Sequence, residues 1–341
     1  MLVIDGSIGE GGGQVLRSAL SLSMVTRRPF RIERIRAGRA KPGLAAQHLV
    51  SVRAAAAVCN AEVSGAELGS TSLSFRPRAI RGGAHHFAID TAGSATLVLQ
   101  TITPALLRAS EPSVVTLEGG THNPAAPPFE FLERCWAPAL AEMGVTIEVA
   151  LERPGFYPKG GGRFTAKVTP GELGRFEREE RGPEKARRAT AIIAGLAEPI
   201  AERELRVAKD RLGLSRDQLI RKIEPEERGP GNVFQVELDY QHGKALFTSF
   251  GERGLRAEQV AELAIGRALA FHESDAAVEE HLADQILLPM AIGKGGLFTT
   301  TEPSSHARTL GEVLRIFLDV DVEESTRDER TYTIEMRGAD L

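Results

Sequence analysis

The chain has 341 residues, 42% hydrophobic and 26% charged, with 42 Lys and Arg against 46 Asp and Glu and a net charge of −4. That balance fits two ordinary domains, or one large repetitive domain with an insertion, and excludes disordered, collagen-like and coiled-coil classes. Two cysteines, Cys59 and Cys135, exclude a disulfide scaffold and a four-cysteine zinc site, and both fall in apolar surroundings that read as core. No apolar run approaches the ~18 residues of a membrane span, and the start has no basic n-region, so a cytoplasmic protein with no membrane contact is expected. The mildly acidic total argues against coating nucleic acid by bulk charge.

Periodicity predicts strand 2–5, helix 14–26, strand 30–36, helix 43–59 and strands near 61–65 and 71–76. The order then repeats: strand 86–90, helix 94–109, strand 113–118, helix 127–143, strands 145–151 and 163–168. Residues 172–186 are charge-dense and read as an exposed crossing. Beyond them lies a different pattern: strand 189–194, helix 197–212, strands 233–239 and 244–250, and helix 255–271. The C-terminus returns to the first order with helix 275–290, strand 296–301, helix 304–318 and strands 320–325 and 331–336. The expected fold is α/β (α+β): three tandem β-α-β-α-β-β units of roughly 80 residues in a pseudo-threefold core, plus a smaller inserted α/β domain. Repeats one and two fall in 1–180, the insert in 181–272 and repeat three in 273–341.

Four stretches point to chemistry. Gly9-Glu-Gly-Gly-Gly13 before a helix can turn backbone N–H groups and a positive helix end toward phosphate, and the Glu10 carboxylate could hold magnesium there. It is neither a Walker loop nor G-x-G-x-x-G, because Gln14 stands where the third glycine should be. Between Arg27 and Lys41 seven basic residues face one acid, Glu33. Arg36 and Arg39 sit there in a glycine-containing loop, where guanidinium forks match phosphate oxygens, and Gln47 and His48 follow on the next helix. On helix 275–290, His281, Asp284 and Gln285 share one face, beside an apolar stripe of Val278, Leu282 and Ile286. His306 opens helix 304–318, with Ser304 or Ser305 as N-cap. There the helix dipole favours neutral, nucleophilic imidazole and stabilises an incoming phosphoryl group. The other histidines have no zinc spacing.

Glu10-Gly-Gly-Gly-Gln-Val-Leu-Arg17, Arg36-Ala-Gly-Arg-Ala-Lys-Pro-Gly43, Gly119-Gly-Thr-His-Asn-Pro-Ala-Ala-Pro-Pro128, His281-Leu-Ala-Asp-Gln-Ile-Leu-Leu-Pro289 and Pro303-Ser-Ser-His306 resemble, in order, blocks of the RNA 3′-terminal phosphate cyclase family. The resemblance covers essentially the whole chain. It implies three repeats like the C-terminal domain of bacterial initiation factor three, with an inserted domain. It also implies a ligase-class enzyme that uses ATP, with Mg2+ or Mn2+, to convert an RNA 3′-phosphate to a 2′,3′-cyclic phosphate. A histidine, matched by His306, would carry AMP and pass it to the RNA end as RNA(3′)pp(5′)A before the 2′-hydroxyl closes the ring.

By the same resemblance Glu10 is the metal ligand, and Arg17, Arg36 and Arg39 act at the catalytic phosphates. Arg36, Arg39, Gln47 and His48 would hold the RNA end. Gln100, Pro127, Phe131, His281, Leu282, Ala283, Asp284 and Gln285 would bind ATP. Family members often carry tyrosine at the position of His281 and cysteine at that of Ser305. The partner is RNA with a 3′-phosphate end, and a homodimer is allowed. The competing expectation is a catalytically silent relative acting in ribosome assembly, which would lack the nucleophilic histidine.

Overall fold

The computed structural model describes residues 1–9 and 11–341 as an α/β chain with four small mixed sheets. In the first sheet Leu2–Asp5 runs parallel to Phe30–Glu33, which pairs antiparallel with Leu73–Arg76 and through it with Glu62–Ser64. Helices Gln14–Thr26 and Ala46–Cys59 make the connections. The second sheet has the same order: Gly83–Ala88, Ser113–Gly119, Gly162–Val168, Ile147–Arg153. Its helices are Ala95–Leu106 and a run made of Phe129–Phe131, a π-turn Leu132–Trp136 and Ala137–Glu142. The C-terminal sheet again places a parallel pair, Phe176–Arg178 with Gly296–Thr300, beside an antiparallel pair, Tyr332–Met336 with Val322–Thr326. Helices Glu280–Ile292 and Ser305–Phe317 belong to it.

These sheets alternate buried and exposed residues, so each keeps a wet outer face and packs the other against helices. Helix Gln14–Thr26 is buried from Val15 to Val25 except at Arg17 and packs on helices Ala95–Leu106 and Ser305–Phe317. Small serines allow that approach and satisfy backbone: Ser21 Oγ donates to Thr101 O at 2.7 Å. One apolar core runs through all three sheets.

Segment 184–273 builds the fourth sheet, Leu219–Glu224, Glu184–Ala194, Gly231–Tyr240 and Lys244–Phe250, under helices Pro199–Leu212 and Ala257–Glu273. It has its own core, centred on Phe234, Val236, Ala261 and Ile265.

Three expectations are corrected. The exposed crossing contains strand Phe176–Arg178, in which Phe176 is fully buried edge-on to Phe298. Arg178 lies over the Phe176 ring and donates to Glu142 Oε1 at 2.6 Å, which is how a charge-dense stretch enters a core. Burying that phenyl ring is worth about 1.5–3 kcal/mol. Strand Leu219–Glu224 is not anticipated by the sequence pattern, because the adjacent charges Arg221 and Lys222 break any apolar alternation. Helix Glu280–Ile292 starts five residues later than expected, because the Glu279 carboxylate caps it by accepting from the amides of His281 and Leu282 at 2.9 and 2.7 Å. Val278 therefore lies outside the helix, bridged to Thr300.

Glu204, fully buried on helix Pro199–Leu212, accepts from Asn232 Nδ2 at 3.1 Å, and burial, outweighing that bond and the charge of Arg203, pushes its pKa up to about 7 from 4.5. The folded chain thus keeps a proton that the unfolded chain releases above its ordinary carboxylate range, and stability from this group falls as pH rises through that window. Over about 2.5 pH units the change is about 3 kcal/mol. Glu204→Gln removes it. Denaturant unfolding at pH 4.5 and pH 8 should show the stability difference between variant and wild type swing toward the variant by about that amount. A constant difference would mean that Glu204 does not titrate in this way.

Candidate functional site

Two helix N-termini meet at the site. Gln14, first residue of its helix, accepts from His306 Nδ1 at 2.6 Å through Oε1 and donates to His306 O at 3.1 Å through Nε2. With Nδ1 as the donor, the lone pair of a neutral His306 ring resides on Nε2. Ser304 is the N-cap of the His306 helix: its Oγ accepts from Ala307 N at 3.1 Å and donates to Asp284 Oδ1 at 2.7 Å. Ser304 therefore ties the start of the His306 helix to helix Glu280–Ile292.

The glycine loop is shaped by close approach. Gly9 and Gly11 have φ of +56°, a left-handed conformation that glycine adopts freely, and Gly11 O accepts from Gly38 N at 3.3 Å. That bond ties the loop to the Arg36–Arg39 turn. Arg36 is held by its own loop, donating to Lys41 O and Gly43 O at 3.0 and 2.8 Å. Burial, then the neighbouring Arg39, lower the Arg36 pKa. His48 is 4% exposed, and burial followed by the charges of Arg17, Arg36 and Arg39 depresses its pKa to about 3. The imidazole stays neutral and the positive field there comes from three guanidinium groups, a setting that favours a polyanion. Gln47 is occupied otherwise, its Oε1 accepting from Ser94 N at 2.9 Å.

Beside His306 opens a cavity of about 720 Å³, within the size range of small-molecule sites. Arg17, Gln100, Pro127, Phe131, His281, Asp284, Gln285 and His306 all line it. Leu282 and Ala283 turn into the core at 1% and 5% exposure, and do not line it. Arg36, Arg39, Gln47 and His48 lie outside it; Arg39 adjoins Gly12, and His48 and the cavity-lining Arg17 adjoin Gly13. Both amide atoms of Gln100 are buried with no hydrogen-bond partner among the described residues, a condition that a ligand with donors and acceptors would relieve. Glu10 lies outside the described residues. Among the described residues no three His, Cys, Asp or Glu side chains form a metal cage.

Several contributors are not singled out by the sequence, Gln14 first among them. The π-turn Leu132–Trp136 brings Trp136 to the wall, and Leu246, residues 248–252 and Arg267 close the cavity from segment 184–273.

Two helix N-termini, a guanidinium cluster and an oriented histidine thus lie together beside one cavity, a setting that suits an anionic ligand. The model of the RNA 3′-terminal phosphate cyclase family matches residues 8–323. An RNA 3′-terminal phosphate cyclase of Pseudomonas fluorescens is 52% identical, covering 97% of this chain and 96% of that protein. One of Ectopseudomonas mendocina is 49% identical over 98% and 97%, and one of Koribacter versatilis 49% over 96% and 93%. The chain belongs to the RNA 3′-terminal phosphate cyclase family and is an enzyme of the ligase class. No helix among the described residues is long and apolar enough to cross a membrane.

Proposed function

We propose that this enzyme uses ATP to convert an RNA 3′-phosphate to a 2′,3′-cyclic phosphate through an AMP-carrying histidine, His306. The observation that carries the reading is the Gln14–His306 pair at the mouth of a nucleotide-sized cavity. Nε2 of His306 attacks the α-phosphorus of ATP, an N–P bond forms, and the P–O bond to pyrophosphate breaks. Arg17 and the two helix ends offset the charge that develops on the phosphoryl oxygens. An oxygen of the RNA 3′-phosphate then displaces histidine from AMP, giving RNA(3′)pp(5′)A. The 2′-hydroxyl attacks the RNA phosphorus, loses its proton, closes the ring and expels AMP. The monoester dianion becomes reactive because AMP is a good leaving group, and proximity of the 2′-hydroxyl contributes up to roughly 7–11 kcal/mol.

Gln100, Pro127, Phe131, His281, Asp284 and Gln285 bind the nucleotide in this reading, while Arg36, Arg39, Gln47 and His48 receive the RNA end. Magnesium or manganese on Glu10 would neutralise nucleotide phosphate charge; one protein carboxylate with phosphates and water is a sufficient donor set for it. We also read the chain as three β-α-β-α-β-β units with an inserted α/β unit, Phe176–Arg178 being the first strand of the third, in a cytoplasmic protein free to form a homodimer. The recurring strand order supports this.

The test pairs two substrates. An oligonucleotide ending in a 3′-phosphate should become phosphatase-resistant with ATP and metal. The same oligonucleotide with a 2′-deoxy terminal sugar should accumulate the adenylylated end and never cyclise. The adenylylated end resists phosphatase as well, so a pyrophosphatase that removes AMP decides: it should restore phosphatase sensitivity to the 2′-deoxy end only, and resistance that survives it at both ends, or is absent from both, would rule the mechanism out.

A further inference from the structure

Helix segment 129–142 and strand Gly231–Tyr240 meet through a reciprocal exchange. Glu130 and Arg134 stand on the helix across its π-turn. Gln235 and Glu237 stand two apart on the strand and so share one face. Gln235 Nε2 donates to Glu130 Oε2 at 3.1 Å, and Arg134 Nη1 donates to Glu237 Oε2 at 2.8 Å. Each side thus gives one carboxylate and one hydrogen-bond donor, and Lys222 Nζ stands 3.9 Å from Glu130 Oε1 as a further cation from segment 184–273. Both carboxylates are buried, at 3% and 2% exposure.

Each also keeps partners on its own side. His122 Nε2 meets Glu130 Oε2 at 2.8 Å, while Thr121 Oγ bridges His122 Nδ1 and the Gly155 amide. Arg188 and Lys244 hold Glu237 at 3.0 and 3.3 Å. Burial alone would raise the Glu130 pKa; His122 and Gln235 overcome this and hold it well below the usual carboxylate range.

The seam stands directly behind two cavity walls. Phe131 and Trp136, neighbours of Glu130 and Arg134, line the cavity from one side. Thr248 and Leu246, the cross-strand partners of Gln235 and Glu237, line it from the other. Buried ionic contacts add little stability over apolar packing, but they penalise every register except one. We infer that segment 184–273 is a working wall of the nucleotide cavity, and that Arg134 and Gln235 are positioning residues that set this wall against Phe131. The inference rests on the proposed nucleotide reading.

Arg134→Met with Gln235→Met tests it. Glu130 keeps His122, and Glu237 keeps Arg188 and Lys244. The apolar contact of Phe156 with Ile192, Ala194 and Val233 still joins the two bodies, so the variant should fold. The measurements are protein labelling against concentration of α-labelled ATP, and hydrogen exchange along the chain. The expected result is a KM for ATP raised at least about 10-fold with kcat within about threefold, and joint loss of protection in 124–131 and 246–255. Unchanged KM and exchange would overturn the inference, as would faster exchange spread evenly over the chain. Should the wild type take no label, the nucleotide reading fails, and the exchange result alone decides: joint loosening of the two segments supports the seam, and its absence overturns it.

Discussion

His306→Ala should lower covalent labelling by α-labelled ATP below detection and reduce RNA end cyclisation by at least about 10³-fold, the scale of losing a nucleophile. His306 is the second residue of helix Ser305–Phe317, and Ser304 fixes the start of that helix by capping Ala307 and bonding Asp284. Gln14 then holds both the ring Nδ1 and the main-chain carbonyl of His306. Gln14→Ala should leave labelling measurable but about 10–100-fold slower, because the ring loses its fixed tautomer and orientation while the nucleophile stays. The label should be acid-labile and released by hydroxylamine. Wild-type labelling in His306→Ala would move the nucleophile elsewhere, and an unaffected Gln14→Ala would remove the orienting role.

What could be read from the chain beforehand divides by range. Apolar periodicity of 3.6 or 2 is local, so helices such as Gln14–Thr26 and strands such as Ser113–Gly119 were legible to within a few residues. Phe176–Arg178 was not: three residues carry no period, and they form a strand because Gly296–Thr300 lies alongside. Glycine contributes there, since a Cβ on Gly296 would press into the Phe176 backbone. The late start of helix Glu280–Ile292 has a related cause. An acid as N-cap is a common signal, but a fully buried one, Glu279, looks in sequence like any other residue of a charged stretch.

The site divides in the same way. Arg17, Gln100, His281, Asp284 and His306 carry chemistry in their side chains and could be named one at a time; all five line the cavity. Leu282 and Ala283 were named with their neighbours, but helical geometry turns them the opposite way. Gln14 acquires its meaning from a residue 292 positions away. The wall formed by Leu246 and residues 248–252 belongs to a segment whose sequence shows only a strand and a turn.

Gly13→Ala should lower activity by about 10²-fold and stability by about 1–3 kcal/mol, through sterics alone. Gly13 has φ of −77°, so alanine meets no backbone strain there. Its Cβ would sit inside contact distance of His48 Nε2, 2.7 Å from His48 Cδ2 and 3.0 Å from Arg17 Nη1. His48 has no room to retreat, at 4% exposure, and its neutral ring is the spacer between the glycine loop and the guanidinium cluster. Displacing it moves Arg17, and if Arg17 acts on phosphate as proposed, a shift of about 1 Å is enough for the predicted loss. Gly266→Ala is the matched control. That glycine is an exposed position inside helix Ala257–Glu273 with nothing within 4 Å of a new Cβ. It should gain roughly 0.5–1 kcal/mol from helix propensity and leave activity unchanged. Steady-state cyclisation and denaturant unfolding of both variants decide the matter. A fully active Gly13→Ala would show that the loop can open without disturbing Arg17, and the glycine would then serve the turn and not the site.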